Sequence, residues 1–218
     1  AVWEALRPYR MKLLRLAPAK FIHFGTTREI LKLMNGGVED YKELEWSRKV
    51  NSSITGQTAG YNSVLSDRAV IGEGCYLEDS FVHSRAVVGK GVILSYLDVH
   101  DEVIPDDVVL HGLKQKNGKF VCRIYGVEDN PKESVLFGMD LAKRAGELGI
   151  REDELWGTGE HTLWQAELYP ECDGIQAAVK ASLNLYEIFH NGGDLASWRK
   201  ENRKSLCSGF HDADASAI

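Results

Sequence analysis

His83 and His100 occupy the same place in two successive copies of a sequence repeat. Two imidazoles on one outer surface can bind a metal ion, and a single one can act as the general base that deprotonates an acceptor hydroxyl. Ser66 holds the same place one copy earlier, so the plain reading is a solvated position in the repeat, and no metal site is assigned. Gly25-Thr26-Thr27-Arg28 places two hydroxyls and a guanidinium where a helix begins, an arrangement that can hold a phosphate. Thr26 with Glu29 also matches a capping box, which accounts for both without a ligand. Asn130 and Lys132, in the loop from Glu128 to Lys132, offer an amide and an ammonium to a phosphate or a sugar. Thr26, Thr27, Arg28, Asn130 and Lys132 are therefore the ligand candidates, and no catalytic residue is identified.

Other reactive types have ordinary explanations. Cys75 and Cys122 have no visible activating partner and read as packing residues. Asp98, Asp101, Asp106 and Asp107 read as a solvated acidic edge. Gly72-Glu73-Gly74 and Gly89-Lys90-Gly91 look like phosphate loops, but they recur with the repeat and open no helix, so they read as corners.

The elements that position these residues follow from periodicity. Leu65, Val82 and Val99 fall in step at one constant spacing, and Ala69, Ala86 and Val103 repeat it. Ser63 to Ala69 matches Ser80 to Ala86 almost position for position. Within each period lie six-residue units, aliphatic at one position and small four places later. Three flat faces per turn close a coil that cannot bury its apolar edge alone, so coils stack as parallel strands about 4.8 Å apart. Matched positions three times over favour a short parallel β-helix of about three coils, from about Val64 to Leu110, over separate sandwich strands.

Before the coil, Phe21 to Phe24 reads as a strand, Thr26 opens a helix ending at Gly36-Gly37, and Val38 to Trp46 reads as another short helix. After it, Leu110 to Lys114 and Phe120 to Tyr125 form a hairpin turning at Asn117-Gly118. Helical signals follow: Asp140 to Glu147, then a long amphipathic helix from Asp173 through Phe189 with Ala177, Ala181, Leu185 and Ile188 near one face, then one capped by Asp194. The expected organisation is an α/β lead-in over residues 1–60, the parallel β-helix and hairpin over 61–135, and an α-helical tail over 136–218, mostly β with α flanks.

Composition bounds the function. A net charge of −6 without a basic stripe argues against nucleic acid. No apolar run approaches the roughly 20 residues that span a bilayer, so no membrane partner is expected. Four scattered cysteines, with no C-x-x-C pair, argue against zinc or a disulfide scaffold and for a reducing, cytoplasmic setting. There is no P-loop, no glycine-rich Arg/Lys loop of a nucleotidyltransferase core and no serine-rich phosphate loop of a small-molecule kinase.

Phe21 to Met34, the repeat from Ser63 to Leu110, Tyr125 to Lys132, Leu163 to Pro170 and Ser205 to Asp214 together resemble the L-fucose-1-phosphate guanylyltransferase family. That family includes the bifunctional fucokinase/GDP-fucose pyrophosphorylases. The resemblance implies a left-handed coil and a parent that makes GDP-L-fucose from GTP and L-fucose 1-phosphate with Mg2+. In such parents the nucleotidyltransferase core precedes this region, and where a kinase domain is present it follows. The chain is then expected to be a structural and interface segment, inactive alone and without a cofactor of its own. Its partners would be the nucleotidyltransferase and kinase domains of the same polypeptide, with a homo-oligomer as a further option. A self-contained hexapeptide acyltransferase acting on a sugar, with His83 or His100 as base, is the alternative.

Overall fold

The computed structural model describes residues 2–9, 25–38, 41, 47–54, 56 and 58–217. The expected strand at Phe21 to Phe24 and most of the expected helix at Val38 to Trp46 lie outside these residues.

The repeat builds a β-solenoid of about three turns with three parallel ladders. One ladder joins Ala59–Tyr61, Tyr76–Glu78, Ile93–Ser95 and Val108–Lys114. A second joins Val64–Leu65, Phe81–Val82 and Asp98–Val99, and a third joins Val70–Ile71, Val87–Val88 and Val103–Ile104. Side chains in register stack inside the coil. Leu77, Leu94 and Leu110 are all fully buried, and so are Val82 and Val99. Each such leucine contributes about 1.5–3 kcal/mol through burial. At one corner the stack is polar. Ser52 Oγ accepts from the Ser63 N–H at 3.0 Å, Ser63 Oγ from the Ser80 N–H at 3.1 Å, and Ser80 Oγ from the Leu97 N–H at 3.2 Å. Backbone groups left over at the bend are thereby satisfied without water.

The glycines at another corner have a steric cause. A Cβ on Gly72 would lie 2.5 Å from the carbonyl of Gly89, and one on Gly89 would lie 2.7 Å from the backbone nitrogen of Asp106. Consecutive turns touch there through bare backbone, so these segments are corners.

One register differs from the expected one. The first two turns keep the full period, with Val70 opposite Val87 and Ile71 opposite Val88. Val87 then pairs with Val103 rather than with Ile104, and Ile93 with Val109 rather than with Leu110, a step shorter by a single position. Val103 is therefore out of step with Ala69 and Ala86. Glu102 takes that position: the Val70 N–H donates to the Ala86 carbonyl and the Val87 N–H to the Glu102 carbonyl. The third turn is one residue shorter, between Val99 and Val103.

The last strand of the first ladder runs on into a hairpin. Val108–Lys114 pairs antiparallel with Phe120–Gly126 around a turn where Gly118 has a φ of +81°. The long helix is Ile175–His190, and it buries Ala178, Val179, Ser182, Leu185, Ile188 and Phe189. Leu185 and Ile188 lie on the buried face as expected and Ala181 is half-buried, while Ala177 faces water and Ala178 is buried in its place. The helix packs on the hairpin, and Ser182 donates its hydroxyl to the Cys122 carbonyl. Tyr169 donates to the Ile124 carbonyl at 3.1 Å, and Trp198 Nε1 to the Leu168 carbonyl at 2.9 Å. One continuous buried cluster thus runs from the solenoid interior through the hairpin into the tail. The helix Thr27–Lys32 covers the outside of the first ladder, where Leu31 packs with Ile93, Val109 and Val127. No helix among the described residues is long and apolar enough to cross a membrane.

Candidate functional site

The second ladder ends with Asp98, which stands in register with Phe81 and Val64. The strands leave Val82 and Val99 pointing inward, and His83 and His100 follow on the outside. Their rings stack with centroids 3.8 Å apart, as a shared ladder position requires. Asp98 sits between them: His83 Nε2 lies 2.7 Å from Oδ1 and His100 Nε2 lies 3.1 Å from Oδ2. The first turn of the long helix brings Gln176, whose side-chain amide lies 2.6 Å from His100 Nε2 and 3.2 Å from Asp98 Oδ2. All three solenoid side chains are about one-third exposed. Partial burial pushes the Asp98 carboxyl up, but the hydrogen bonds from His100, His83 and Gln176 outweigh this and hold it below the ordinary carboxylate value.

Asp98 also opens onto a cavity of about 250 Å³. Asp79, Tyr96 and Lys114 form a polar rim over an apolar floor that includes Leu113 and Phe120.

The other candidates lie elsewhere. Glu29 accepts from the Thr26 N–H at 3.2 Å and from the Gly25 N–H, which is the capping arrangement the sequence indicates. Thr27 lies beside the buried Tyr125 phenol. Arg28 pairs with Asp107 at 2.7 Å and with Glu128. It lines a cavity of about 300 Å³ with Asp106, Asp107, Glu128 and Asp129, a set of acids that repels phosphate. Arg28 thus meets the loop that carries Asn130 and Lys132 only through Glu128. Asn130 accepts from the Lys132 N–H at 3.1 Å and donates to Glu133 at 3.0 Å, closing the loop on itself, while Lys132 is exposed.

The supposed acidic edge divides by function. Asp98 holds the two histidines, Asp106 accepts from the Lys90 N–H at 2.8 Å, and Asp107 holds Arg28. Glu102 is buried and accepts from the His100 N–H at 2.7 Å and the Asp101 N–H at 3.1 Å, with Lys180 of the long helix 3.8 Å away. On the outside of the first ladder, Ser95 and His111 stand in register. Ser95 donates to Glu78 at 2.6 Å, while His111 meets the Arg123 guanidinium. Burial, and then the Arg123 charge, push the His111 pKa down to about 3. Cys75 and Cys122 are packing residues, with burial pushing their thiols up to about 11 and about 12, and all four cysteines are free thiols.

Sequence reasoning paired His83 with His100 but missed Asp98 and Gln176 as their partners. The available signal was the ladder Val64, Phe81, Asp98, in which an acid replaces two apolar residues beside the second histidine.

The sequence model of the family described as Fucose pyrophosphorylase domain matches residues 1–174. Searches of curated proteins and of solved structures found no match.

Proposed function

Because the chain belongs to the fucose pyrophosphorylase domain family, we propose that it is the structural and interface segment of an enzyme that makes GDP-L-fucose from GTP and L-fucose 1-phosphate. In this reading the nucleotidyl-transfer chemistry resides in another part of the same polypeptide, with or without a sugar kinase domain, and the setting is the cytoplasm. The carrying observation is the family match over residues 1–174. The absence from these 218 residues of a glycine-rich nucleotide loop supports the division of labour. An interface role draws support from the third ladder, where Val70, Val87 and Val103 form an outward stripe of exposed side chains.

The Mg2+ that GTP chemistry uses takes an octahedral shell of oxygens. Among the described residues, the three-residue cluster able to hold a cation is His83, Asp98 and His100, and its two nitrogens do not fit Mg2+. No step through Mg2+ is derived for this chain.

The test is GDP-L-fucose formation from GTP and L-fucose 1-phosphate, measured for the 218-residue chain and for its full polypeptide. The expected result is turnover by the full polypeptide and none by the chain alone. Turnover by the chain alone overturns the scaffold role, and inactivity of the full polypeptide overturns the pyrophosphorylase reading. Acetyl-CoA turnover lost on replacing His83 or His100 by Ala would instead establish the acyltransferase alternative.

A further inference from the structure

The geometry points to a binding site for a divalent transition-metal ion, zinc being the best match, formed by His83, Asp98 and His100 with Gln176 beside them. The site is independent of the fucose chemistry proposed above.

Three features carry it. First, one donor atom from each of His83, Asp98 and His100 can be chosen so that all lie within 4.8 Å of one another. A tetrahedral ion about 2.0–2.1 Å from each donor holds them about 3.3 Å apart. Each imidazole already lies against one oxygen of Asp98, His83 Nε2 at 2.7 Å from Oδ1 and His100 Nε2 at 3.1 Å from Oδ2, so small side-chain rotations bring the donors to that spacing.

Second, two imidazoles and a carboxylate form a mixed nitrogen and oxygen set that suits zinc and its neighbours better than the oxygen-seeking Mg2+ or Ca2+. Gln176 turned oxygen-first supplies a fourth donor from the helix Ile175–His190 and completes a tetrahedral set.

Third, with Asp98 ionised, either placement of the Gln176 amide leaves one contact unsatisfied. If the Gln176 amide nitrogen faces His100 Nε2, that nitrogen must be unprotonated to accept from it at 2.6 Å. It then opposes Asp98 Oδ2, lone pair to lone pair, at 3.1 Å. If the amide oxygen faces His100 instead, His100 donates well, but that oxygen lies 3.2 Å from Asp98 Oδ2, acceptor against acceptor. A cation among the four groups turns each of these oppositions into an attraction.

Such an ion would join the second and third turns of the solenoid to the first turn of the tail helix. The experiment is calorimetric titration of the intact chain with ZnCl2 at pH 7.5, alongside thermal unfolding. The expected result is one saturable site and a Tm that rises with zinc. The His83→Asn/His100→Asn variant should weaken binding at least about 100-fold, since losing even the partners of ligands costs 10–100-fold. Gln176→Ala should weaken it less. Co2+ in place of zinc should give visible absorption bands that vanish in Asp98→Asn, a readout that a packing role would not produce. Should the double variant unfold, His83→Asn alone, checked by circular dichroism, serves the same comparison. Absence of saturable zinc binding, or binding unchanged in the folded variants, overturns the inference.

Discussion

The second and third turns of the solenoid have one backbone plan and two different jobs. In the second turn the successive positions carry Phe81, Ala86, Gly89 and Ser95, small or apolar residues whose one polar side chain, Ser95, bonds within the repeat to Glu78. At the matching positions the third turn carries Asp98, Glu102, Pro105 and His111. Three of these replacements reach out of the repeat. Asp98 meets His83, His100 and Gln176, Glu102 lies near Lys180, and His111 meets Arg123. A fourth is Asp107, which lies one coil beyond Gly91, shares its positive φ, and holds Arg28. A regular turn stacks on its neighbours, while an irregular turn can also hold the helices at either end. The third turn, which contains the break in the repeat, carries these contacts to the flanking segments.

Substitutions in the two turns should separate these jobs. The largest loss is expected from Leu94→Ala at the centre of the buried leucine stack. It should cost about 2–5 kcal/mol, read as a lower urea midpoint for solenoid and tail together; separate transitions would break the picture of one shared core. Glu102→Ala restores the second-turn residue at the third-turn position. It leaves the N–H groups of His100 and Asp101 without their acceptor, at a cost of about 1–3 kcal/mol by urea unfolding. An unchanged midpoint would show that the shortened turn does not depend on its glutamate.

His111 makes the comparison depend on pH. Its folded pKa is about 3, against 6.5 for a free imidazole, so between these values the unfolded chain binds the extra proton. Stability is therefore full above pH 6.5 and falls as pH drops below it. At pH 5 the loss is about 2 kcal/mol. His111→Ser, which copies Ser95, should flatten that slope between pH 7 and 5; an identical slope would contradict the assignment. Arg28→Ala should have the smallest effect, about 0.2–1 kcal/mol at low salt and less in 0.5 M NaCl, because Asp107 and Glu128 are more than half exposed. A larger, salt-insensitive loss would show that Arg28 acts through packing.

The sequence showed the regular parts plainly. Leu65, Val82 and Val99 stack as their spacing indicates, the turn at Asn117-Gly118 closes the hairpin, and Asp194 caps its helix by accepting from the Ser197 N–H at 2.9 Å. The shortened third turn was harder to read. Val103 lies one full period after Ala86 and keeps the apolar pattern, although the series Ile71, Val88, Ile104 already carried the shorter step. The placement of Asp98 between the histidines follows from the stack. Gln176 arrives from a helix 76 residues beyond His100, and Arg28 finds Asp107 across 79 residues. No local pattern encodes those meetings. The face of the long helix was legible at Leu185 and Ile188 but not at its start, because Ala177 and Ala178 are equally apolar and only docking against the hairpin selects between them.

The central claim is that this chain organises a GDP-L-fucose-forming enzyme without holding its nucleotide site. Calorimetric titration of the 218-residue chain with GTP and with GDP-L-fucose, in the presence of Mg2+, tests it directly. No saturable heat with either nucleotide is the predicted result; a defined one-to-one site for GTP or GDP-L-fucose would contradict it.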